Sequence, residues 1–230
     1  PYDVSSLRYL GLAGSKIEED VLKRLAAAYP RMEFWTGYGM TEASPLIAKP
    51  YKVMDARKLA SVGTALPGEE IQIFADGVLT ARPHVMGEIV VKGPNVMLGY
   101  YRNEEATREI VHGGRLYTGD IGYLDEEGYL YICGRVKNVI IVRGFNVYPE
   151  EVESCLRSSG LVRECVVYGE NAKGESENVC ADVVARNESV RAETLRAYCA
   201  EHLSAYKVPQ KISLVETLER TATGKVKRGK

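Results

Sequence analysis

Two short apolar runs flank one amphipathic segment in the first fifty residues of the chain. The runs LRYLGLAG at 7–14 and MEFWTGYG at 32–39 each fit a strand. Between them apolar residues recur at helical spacing until Pro30, and Ser15 stands three residues before Glu18, the spacing of a capping box. The pattern predicts a strand, a helix that begins near Ser15, and a second strand, which together form a βαβ-type unit.

Hydrophobic alternation with glycine-bearing turns follows, from Ser61 to Arg135. The runs EEIQIF, GEIVVKG, DIGYL and YLYICGR have strand character, and ADG and DEEG lie between runs as turns. The pattern predicts a small antiparallel sheet or β-barrel.

The segment after Arg135 has a different pattern. KNVIIVRGFNV is predicted as a strand at 137–147, and Pro149 with the two glutamates after it is typical of a helix first turn. Strands are predicted at RECVVYG, ENVCADVVA and KISLVE, with one more helix before the last of them. This predicts a compact α+β lobe, and the polar, basic end TATGKVKRGK is predicted as an exposed loop.

These patterns predict a mixed α+β and α/β chain with two parts. Residues 1–135 are expected to belong to one large domain, with the βαβ piece at 1–50 and the β-barrel at 51–135, and 136–230 are expected to form a small lobe. A chain that opens on a βαβ unit leaves sheet edges uncovered, so we expect residue 1 to lie inside a longer domain.

Composition narrows the class of protein. Apolar residues are 45% of the chain, charged residues 27%, and the formal net charge is −1, which argues against nucleic-acid binding driven by bulk charge. The five cysteines include no CxxC pair, and this favours buried thiols in a reducing compartment over a disulfide framework or zinc site. No apolar run approaches the ~20 residues that span a bilayer. With no signal-like N-terminus, we expect a cytoplasmic protein.

The segment YGMTE follows the end of the second predicted strand. Tyr38 could stack on a base, Thr41 could donate its hydroxyl to a phosphate oxygen, and Glu42 could bind Mg²⁺, which prefers carboxylate oxygen. The alternative is a capped turn, with Thr41 and Glu42 opening a helix and Tyr38 packed in the core.

Three further residues could contact a nucleotide. Asp120 in YTGD could accept hydrogen bonds from a ribose diol, and the guanidinium of Arg135, which follows the next hairpin, could lie at the same edge of the sheet. Lys225 in TGK lies in a basic, glycine-containing segment that could deliver an ammonium to a phosphate. The alternatives are a turn-capping aspartate, a surface ion pair and a solvated basic tail.

Several motifs occur along the chain in one fixed order, and together they favour nucleotide contacts over the structural alternatives. The chain carries YGMTE, SVGTALPG, GEIVVKGPNVMLGYYRNEEAT, LYTGD, GRVKNVIIVRGFNVYPEEVE, YKVP and TATGKVKR. This series strongly resembles the adenylate-forming superfamily, which contains acyl-CoA synthetases, peptide-synthetase adenylation domains and luciferase. The resemblance covers most of the chain and implies that it is the C-terminal part of such an enzyme.

The resemblance also implies residue roles. Tyr38 and Gly39 would lie at the adenine, Thr41 at the α-phosphate, Glu42 at Mg²⁺, Asp120 at the ribose hydroxyls and Arg135 at ribose and phosphate. In the second part Lys137 would be the hinge on which a mobile lobe swings, Gly144 and Phe145 would line the channel for the pantetheine thiol, and Lys225 would be the catalytic lysine. Gly14, Ser15 and Lys16 stand where the family often has Gly-Ala-Pro, which puts substrate contacts there in doubt.

The activity implied is ATP-dependent conversion of a carboxylic acid to acyl-AMP, followed by thioester formation. Coenzyme A is the favoured acceptor, and a fatty acid or another organic acid the substrate, with ATP and Mg²⁺ required. Transfer to a carrier protein, release of the adenylate, and a non-catalytic nucleotide- or partner-binding module remain alternatives, and the oligomeric state is open. The family's phosphate-binding loop is expected upstream of residue 1, so this chain alone is expected to be inactive.

Overall fold

The computed structural model describes residues 3–12, 14, 17, 19–50, 58–171, 176–222, 224 and 226–228. The chain divides into two compact units, Pro1–Ile132 and Cys133–Lys230. The first unit opens with strand β1 (Tyr9–Leu12), helix α1 (Glu19–Ala28) and strand β2 (Glu33–Thr36). β1 and β2 pair in parallel, so the predicted βαβ-type unit is confirmed. The predicted capping box at Ser15 and Glu18 lies outside the described residues.

An antiparallel sheet forms most of the rest of the first unit. The strands that follow β2 are β3 (Ala48–Lys49), β4 (Thr64–Ala65), β5 (Glu70–Ala75), β6 (Val78–Thr80), β7 (Gly87–Lys92), β8 (Val111–His112), β9 (Arg115–Leu124) and β10 (Leu130–Arg135). The strand order of the sheet is β10-β9-β7-β5-β6, with β8 paired to β9, and a separate two-stranded sheet pairs β3 with β4. Ile73, Ile89 and Leu130 are fully buried on the larger sheet. The predicted antiparallel sheet is confirmed.

Helix α2 (Glu104–Ile110) was not predicted from the pattern. The Asn103 side chain caps it by accepting a hydrogen bond from the backbone N–H of Ala106, and two glutamates occupy its first turn. None of its residues is buried, so the helix lacks the apolar stripe by which helices are recognised.

Within the described parts of the chain, no helix is long and apolar enough to cross a membrane.

A β-hairpin lies near the start of the second unit, and here the prediction of one strand over 137–147 is wrong. Strands β11 (Ile140–Val142) and β12 (Phe145–Val147) pair antiparallel. Arg143 and Gly144 between them have φ values of 50° and 85°. Two consecutive residues with positive φ make the tight turn that matches the twist of paired strands. A short 3-10 helix, Val136–Asn138, precedes the hairpin.

The remaining elements build the predicted α+β lobe. Helix α3 (Pro149–Ser158) has proline in its first turn followed by two glutamates, as predicted. Its Val152 and Leu156 are fully buried in a core shared with strands β13 (Val162–Asn171), β14 (Glu177–Ala185) and β15 (Lys211–Leu214) and helix α4 (Ala192–His202). The strand order is β13-β14-β15. Mixed helices and sheets in both units confirm the predicted fold class.

The C-terminal segment is only partly the exposed loop that was predicted. Thr221, Ala222, Gly224 and Lys227 are exposed. Arg228 is not, since its side chain is 25% exposed and is bonded to glutamates of α3. The basic residues of the segment therefore include at least one in a partly buried structural contact as well as residues in solvent.

Candidate functional site

The loop that follows β2 is closed at its base by backbone hydrogen bonds of Tyr38 to Ile47 and Ala48. We call this base the neck of the loop. The Tyr38 N–H donates to the Ala48 carbonyl at 2.9 Å, and its carbonyl accepts from the N–H groups of Ile47 and Ala48 at 2.8 and 3.0 Å. Inside the neck, a Cβ on Gly39 would collide with the Pro45 carbonyl oxygen. Only glycine therefore fits there, and the loop that carries Thr41 and Glu42 is closed tightly at its base.

Tyr38 and Asp120 meet although 82 residues separate them in the chain. The Tyr38 phenol donates to Asp120 Oδ2 at 2.7 Å, and the two residues are 8% and 7% exposed. A short hydrogen bond between buried groups fixes both side chains. The structure thus joins two of the residues that the sequence proposed for one nucleotide.

A strand irregularity presents Asp120. The register of β7 against β9 shifts between Glu88 and Val90, and Gly119 has a φ of 70°. The Gly119 N–H donates to Glu88 Oε1 at 2.9 Å, and the Asp120 N–H donates to Thr118 Oγ1 at 3.1 Å. Irregularities of this kind redirect a side chain at a functional edge. Neither Glu88 nor Thr118 was singled out from the sequence, because their contacts depend on strand register.

Glu42 has a partner that sequence reasoning missed. The Tyr100 phenol donates to Glu42 Oε1 at 2.6 Å, and this hydrogen bond, with some burial, raises the pKa of Tyr100. Glu42 Oε2 has no hydrogen-bond partner among the described residues. One carboxylate oxygen is thus oriented while the other can coordinate a cation. The only signal for Tyr100 was its place in the motif GYY.

The alternative interpretation of YGMTE as a structural turn is also visible. Tyr38 belongs to the buried cluster of the first unit, and Thr41–Ala43 form a 3-10 helix. Thr41 itself is exposed. The two interpretations are compatible, since burial of the Tyr38 ring also brings its hydroxyl to Asp120.

In the second unit, Arg135 and Lys137 are exposed at the end of β10 and in the 3-10 helix after it. At the hairpin, Phe145 is 56% exposed and stacks on Tyr206, with ring centroids 4.8 Å apart. Gly144 has open space around its Cβ position. The tip of this hairpin is therefore accessible within its own unit.

Lys225 lies outside the described residues, as do Ser15 and Lys16. The described residues next to Lys225 are held in place. The Gly224 carbonyl accepts from Arg220 at 3.0 Å, and Val226 forms a β-bridge with Arg220. The backbone on both sides of Lys225 is thus anchored to one arginine.

All five cysteines are free thiols. Cys165, Cys180 and Cys199 are buried, as expected, whereas Cys133 and Cys155 are half-buried. Burial raises the pKa of the Cys180 thiol to about 11, with Glu170 adding to the shift, and it raises the pKa of the Cys199 thiol to about 12, with the neighbouring thiols of Cys155 and Cys165 adding to the shift. Such thiols are poor nucleophiles at neutral pH. Among the described residues, no group of three or more His, Cys, Asp and Glu could hold a metal ion.

Two family models match the chain, one in each unit. The family model "AMP-binding enzyme" matches residues 1–101, and the model "AMP-binding enzyme C-terminal domain" matches residues 151–225. The chain belongs to the AMP-binding enzyme family, as its ordered motifs predicted.

Its relatives include named CoA ligases. The chain is 43% identical to the 2-succinylbenzoate–CoA ligase of Geobacillus sp. WCH70 over 83% of the chain and 39% of the relative. It is 35% identical to the long-chain-fatty-acid–CoA ligase of Salmonella typhimurium over 98% of the chain and 40% of the relative. The chain therefore spans about 40% of the length of these curated relatives.

A solved relative has the same fold. The o-succinylbenzoate CoA synthetase of Bacillus subtilis, bound to its acyl-adenylate intermediate, is 36% identical and superposes with a TM-score of 0.84, over 95% of this chain and 44% of that one. The same enzyme with ATP and a magnesium ion gives a TM-score of 0.82 at 36% identity, over 95% of this chain and 45% of that one.

Proposed function

We propose that the protein is part of an AMP-forming acid–thiol ligase that converts a carboxylic acid to acyl-AMP and then to a coenzyme A thioester. The observation that carries this is the buried Tyr38–Asp120 hydrogen bond, which joins two separated nucleotide motifs. Relatives named as ligases of long-chain fatty acids and of 2-succinylbenzoate support coenzyme A as acceptor. The five free thiols support action in the reducing cytoplasm.

In this proposal the first unit binds the nucleotide. Asp120, held by Tyr38, accepts hydrogen bonds from the ribose hydroxyls, and the Tyr38 ring packs beside the adenine. Thr41, exposed at the start of its 3-10 helix, donates to the α-phosphate. Gly39 contributes by allowing the loop to close, as its lack of space for a Cβ supports.

Glu42 is the proposed protein ligand of Mg²⁺. The donor set fits, because a carboxylate oxygen without a hydrogen-bond partner among the described residues is what a hard cation accepts. A magnesium ion held there would supply charge neutralisation for the substrate phosphates. Tyr100 restrains the other oxygen of Glu42, so that the carboxylate has one orientation.

In the first half-reaction the substrate carboxylate oxygen bonds to the α-phosphorus of ATP, and the bond to pyrophosphate breaks. Charge grows on the phosphate oxygens, and a placed ammonium stabilises it. We assign that ammonium to Lys225, with the guanidinium of Arg135 contacting ribose and phosphate. The glycine before Lys225 has a φ of 82°, a conformation that a residue with a side chain rarely adopts.

In the second half-reaction the sulfur of coenzyme A bonds to the acyl carbon, AMP leaves, and the thiol proton is released. Lys225 must withdraw before a thiol can enter, so the proposal includes a hinge at Lys137 and a thiol channel at Gly144 and Phe145. The exposed 3-10 helix at Lys137 and the accessible hairpin tip support these assignments.

The test uses the protein expressed from its natural reading frame. Lys225→Ala should lower acid-dependent ATP–pyrophosphate exchange by ~10²–10³-fold, the usual cost of one lost charge contact in a transition state. Thioester formation from supplied acyl-AMP should change little. Lys227→Ala is the matched control, since Lys227 is exposed and pairs only loosely with Glu219 at 3.6 Å. Equal loss of both half-reactions in Lys225→Ala would refute the assignment.

A further inference from the structure

The guanidinium of Arg228 is bound to two glutamates of helix α3. Nη1 lies 2.8 Å from Glu153 Oε1, and Nη2 lies 3.0 Å from Glu153 Oε2. The two guanidinium nitrogens therefore bind the two oxygens of one carboxylate. Nη2 is also 3.0 Å from Glu150 Oε1, and Nη1 donates to the Val167 carbonyl at 3.2 Å. One side chain therefore bonds the C-terminal segment to α3 and to β13.

This is not an ordinary surface ion pair. Glu153 is 6% exposed, and its Oε1 also accepts from the Val167 backbone N–H at 2.9 Å. Burial raises the pKa of Glu153, and the charge of Arg228 is the strongest effect that opposes it. Removing one partner of a buried pair is costly, because the other charge is left in a poor environment. The pair therefore holds the segment much more firmly than an exposed contact would.

A second arginine anchors the other side of the same segment. Arg220 Nη2 lies 2.6 Å from Glu164 Oε2, while its Nη1 donates to the Gly224 carbonyl at 3.0 Å. The Lys227 N–H donates to the Glu219 carbonyl at 2.9 Å. The segment on which Lys225 lies is thus fixed at Gly224 on one side and at Arg228 on the other.

Helix α3 also borders the segment that leads to the proposed hinge. A Cβ on Gly134 would collide with the Glu150 carboxylate, so Glu150 packs directly on this backbone. Glu150 therefore contacts Arg228 with one oxygen and lies against Gly134 with the other, three residues before Lys137. Within the second unit, α3 connects the lysine segment to the start of the lobe.

We propose that Arg228 is a positioning residue, which ties the segment of Lys225 to Glu153 and Glu150 so that the lysine moves with the lobe as one body. The inference rests on the proposed role of Lys225. Without the tie, Lys225 still reaches the phosphate, but from a mobile backbone, and a misplacement of ~1 Å can cost about 10²-fold in rate.

The test compares Arg228→Met with Arg228→Lys, and uses Arg196→Met as matched control. Arg196 is an exposed arginine of the same unit, and among the described residues it donates only to the Gln210 carbonyl, at 2.8 Å. In the protein from its natural reading frame, Arg228→Met should lower kcat of ATP–pyrophosphate exchange by about 10–100-fold with little change in KM. Thioester formation from supplied acyl-AMP should stay within about twofold, Arg228→Lys should restore part of the rate, and Arg196→Met should match the wild type.

Two further measurements separate positioning from loss of folding and from failure of the proposed function. Amide hydrogen exchange on this chain should rise at 221–228 in Arg228→Met while that of β13 and β14 is unchanged. Adding Glu153→Gln to Arg228→Met should cost little more rate, since both act through one contact. Suppose that Lys225→Ala lowers only adenylation, but Arg228→Met lowers neither half-reaction or lowers both equally. In that case Arg228 is not a positioning residue, and the proposed function stands. If Lys225→Ala spares adenylation, the proposed function fails, and unchanged exchange at 221–228 would also overturn the tie.

Discussion

Tyr38→Phe deletes one oxygen atom, the donor to Asp120 Oδ2 at 2.7 Å, and leaves the buried ring in place. A hydrogen bond to a carboxylate contributes ~1.5–3 kcal/mol, and a buried acceptor that loses its donor carries a further desolvation cost. We expect the free energy of unfolding of the first unit to fall by about 2 kcal/mol. For a unit of this size that lowers Tm by roughly 6–10 °C.

The matched control is Tyr117→Phe. Tyr117 lies on β9 near Asp120 and packs edge-on against Phe74, and its hydroxyl has no hydrogen bond among the residues that the structure describes. Its loss should change stability by less than ~0.5 kcal/mol. Urea unfolding of both variants, followed by tryptophan fluorescence, measures the difference, because Trp35 is the single tryptophan and lies on β2 close to Tyr38.

The same substitution tests the site. With Asp120 less well oriented, the Kd of AMP, measured by calorimetry on the protein from its natural reading frame, should rise by about tenfold, or ~1.4 kcal/mol. Adding Asp120→Asn should weaken binding by less than the sum of the two single changes, because the residues are in contact. A Tyr38→Phe variant with wild-type stability and affinity would refute the view that this hydrogen bond holds the site.

Three shorter predictions concern the rest of the first unit. Gly39→Ala should destabilise the chain by about 2–3 kcal/mol, measured by urea unfolding, because the added methyl would lie inside the backbone of its own loop; wild-type stability would refute the loop geometry. Tyr100→Phe should raise the Mg²⁺ concentration needed for half-maximal adenylation by several-fold while leaving Tm nearly unchanged, because it frees one oxygen of Glu42; an unchanged Mg²⁺ dependence would count against the assignment. Burial raises the pKa of Asp125, but hydrogen bonds, with that from Lys58 the largest, outweigh it and hold the pKa below 3.8. This stabilisation is present above pH 3.8 and is lost as the pH falls through the folded pKa, so the Tm difference between wild type and Asp125→Asn should shrink on acidification.

Local patterns predicted the elements whose signals are local. The run ENVCADVVA matches β14 from Glu177 to Ala185, because a largely buried strand shows as a mostly apolar run. The hairpin at 140–147 was predicted as one strand, since Arg143 gives no turn signal although it adopts a positive φ beside Gly144. Its conformation is imposed by the pairing of the flanking strands.

The sequence pattern could not predict contacts between residues that are far apart in the chain. The ordered motifs identified Tyr38 and Asp120 as candidates, but their hydrogen bond depends on the register of β9. Arg228 was expected in solvent because basic residues near a chain end are usually solvated. Its fork on Glu153 depends on the path of the backbone after β15, which no local spacing encodes.

The closed neck at Tyr38 has a consequence for protein engineering. Three backbone hydrogen bonds fix where the loop leaves β2 and where it enters β3, and they offset the entropy cost of closing the loop. Residues between 40 and 46 can therefore be exchanged between relatives, provided that Gly39, Thr41, Glu42, the fully buried Ala43 and the neck are kept. Such grafts would vary the surroundings of Thr41 while the scaffold that supports Asp120 stays constant.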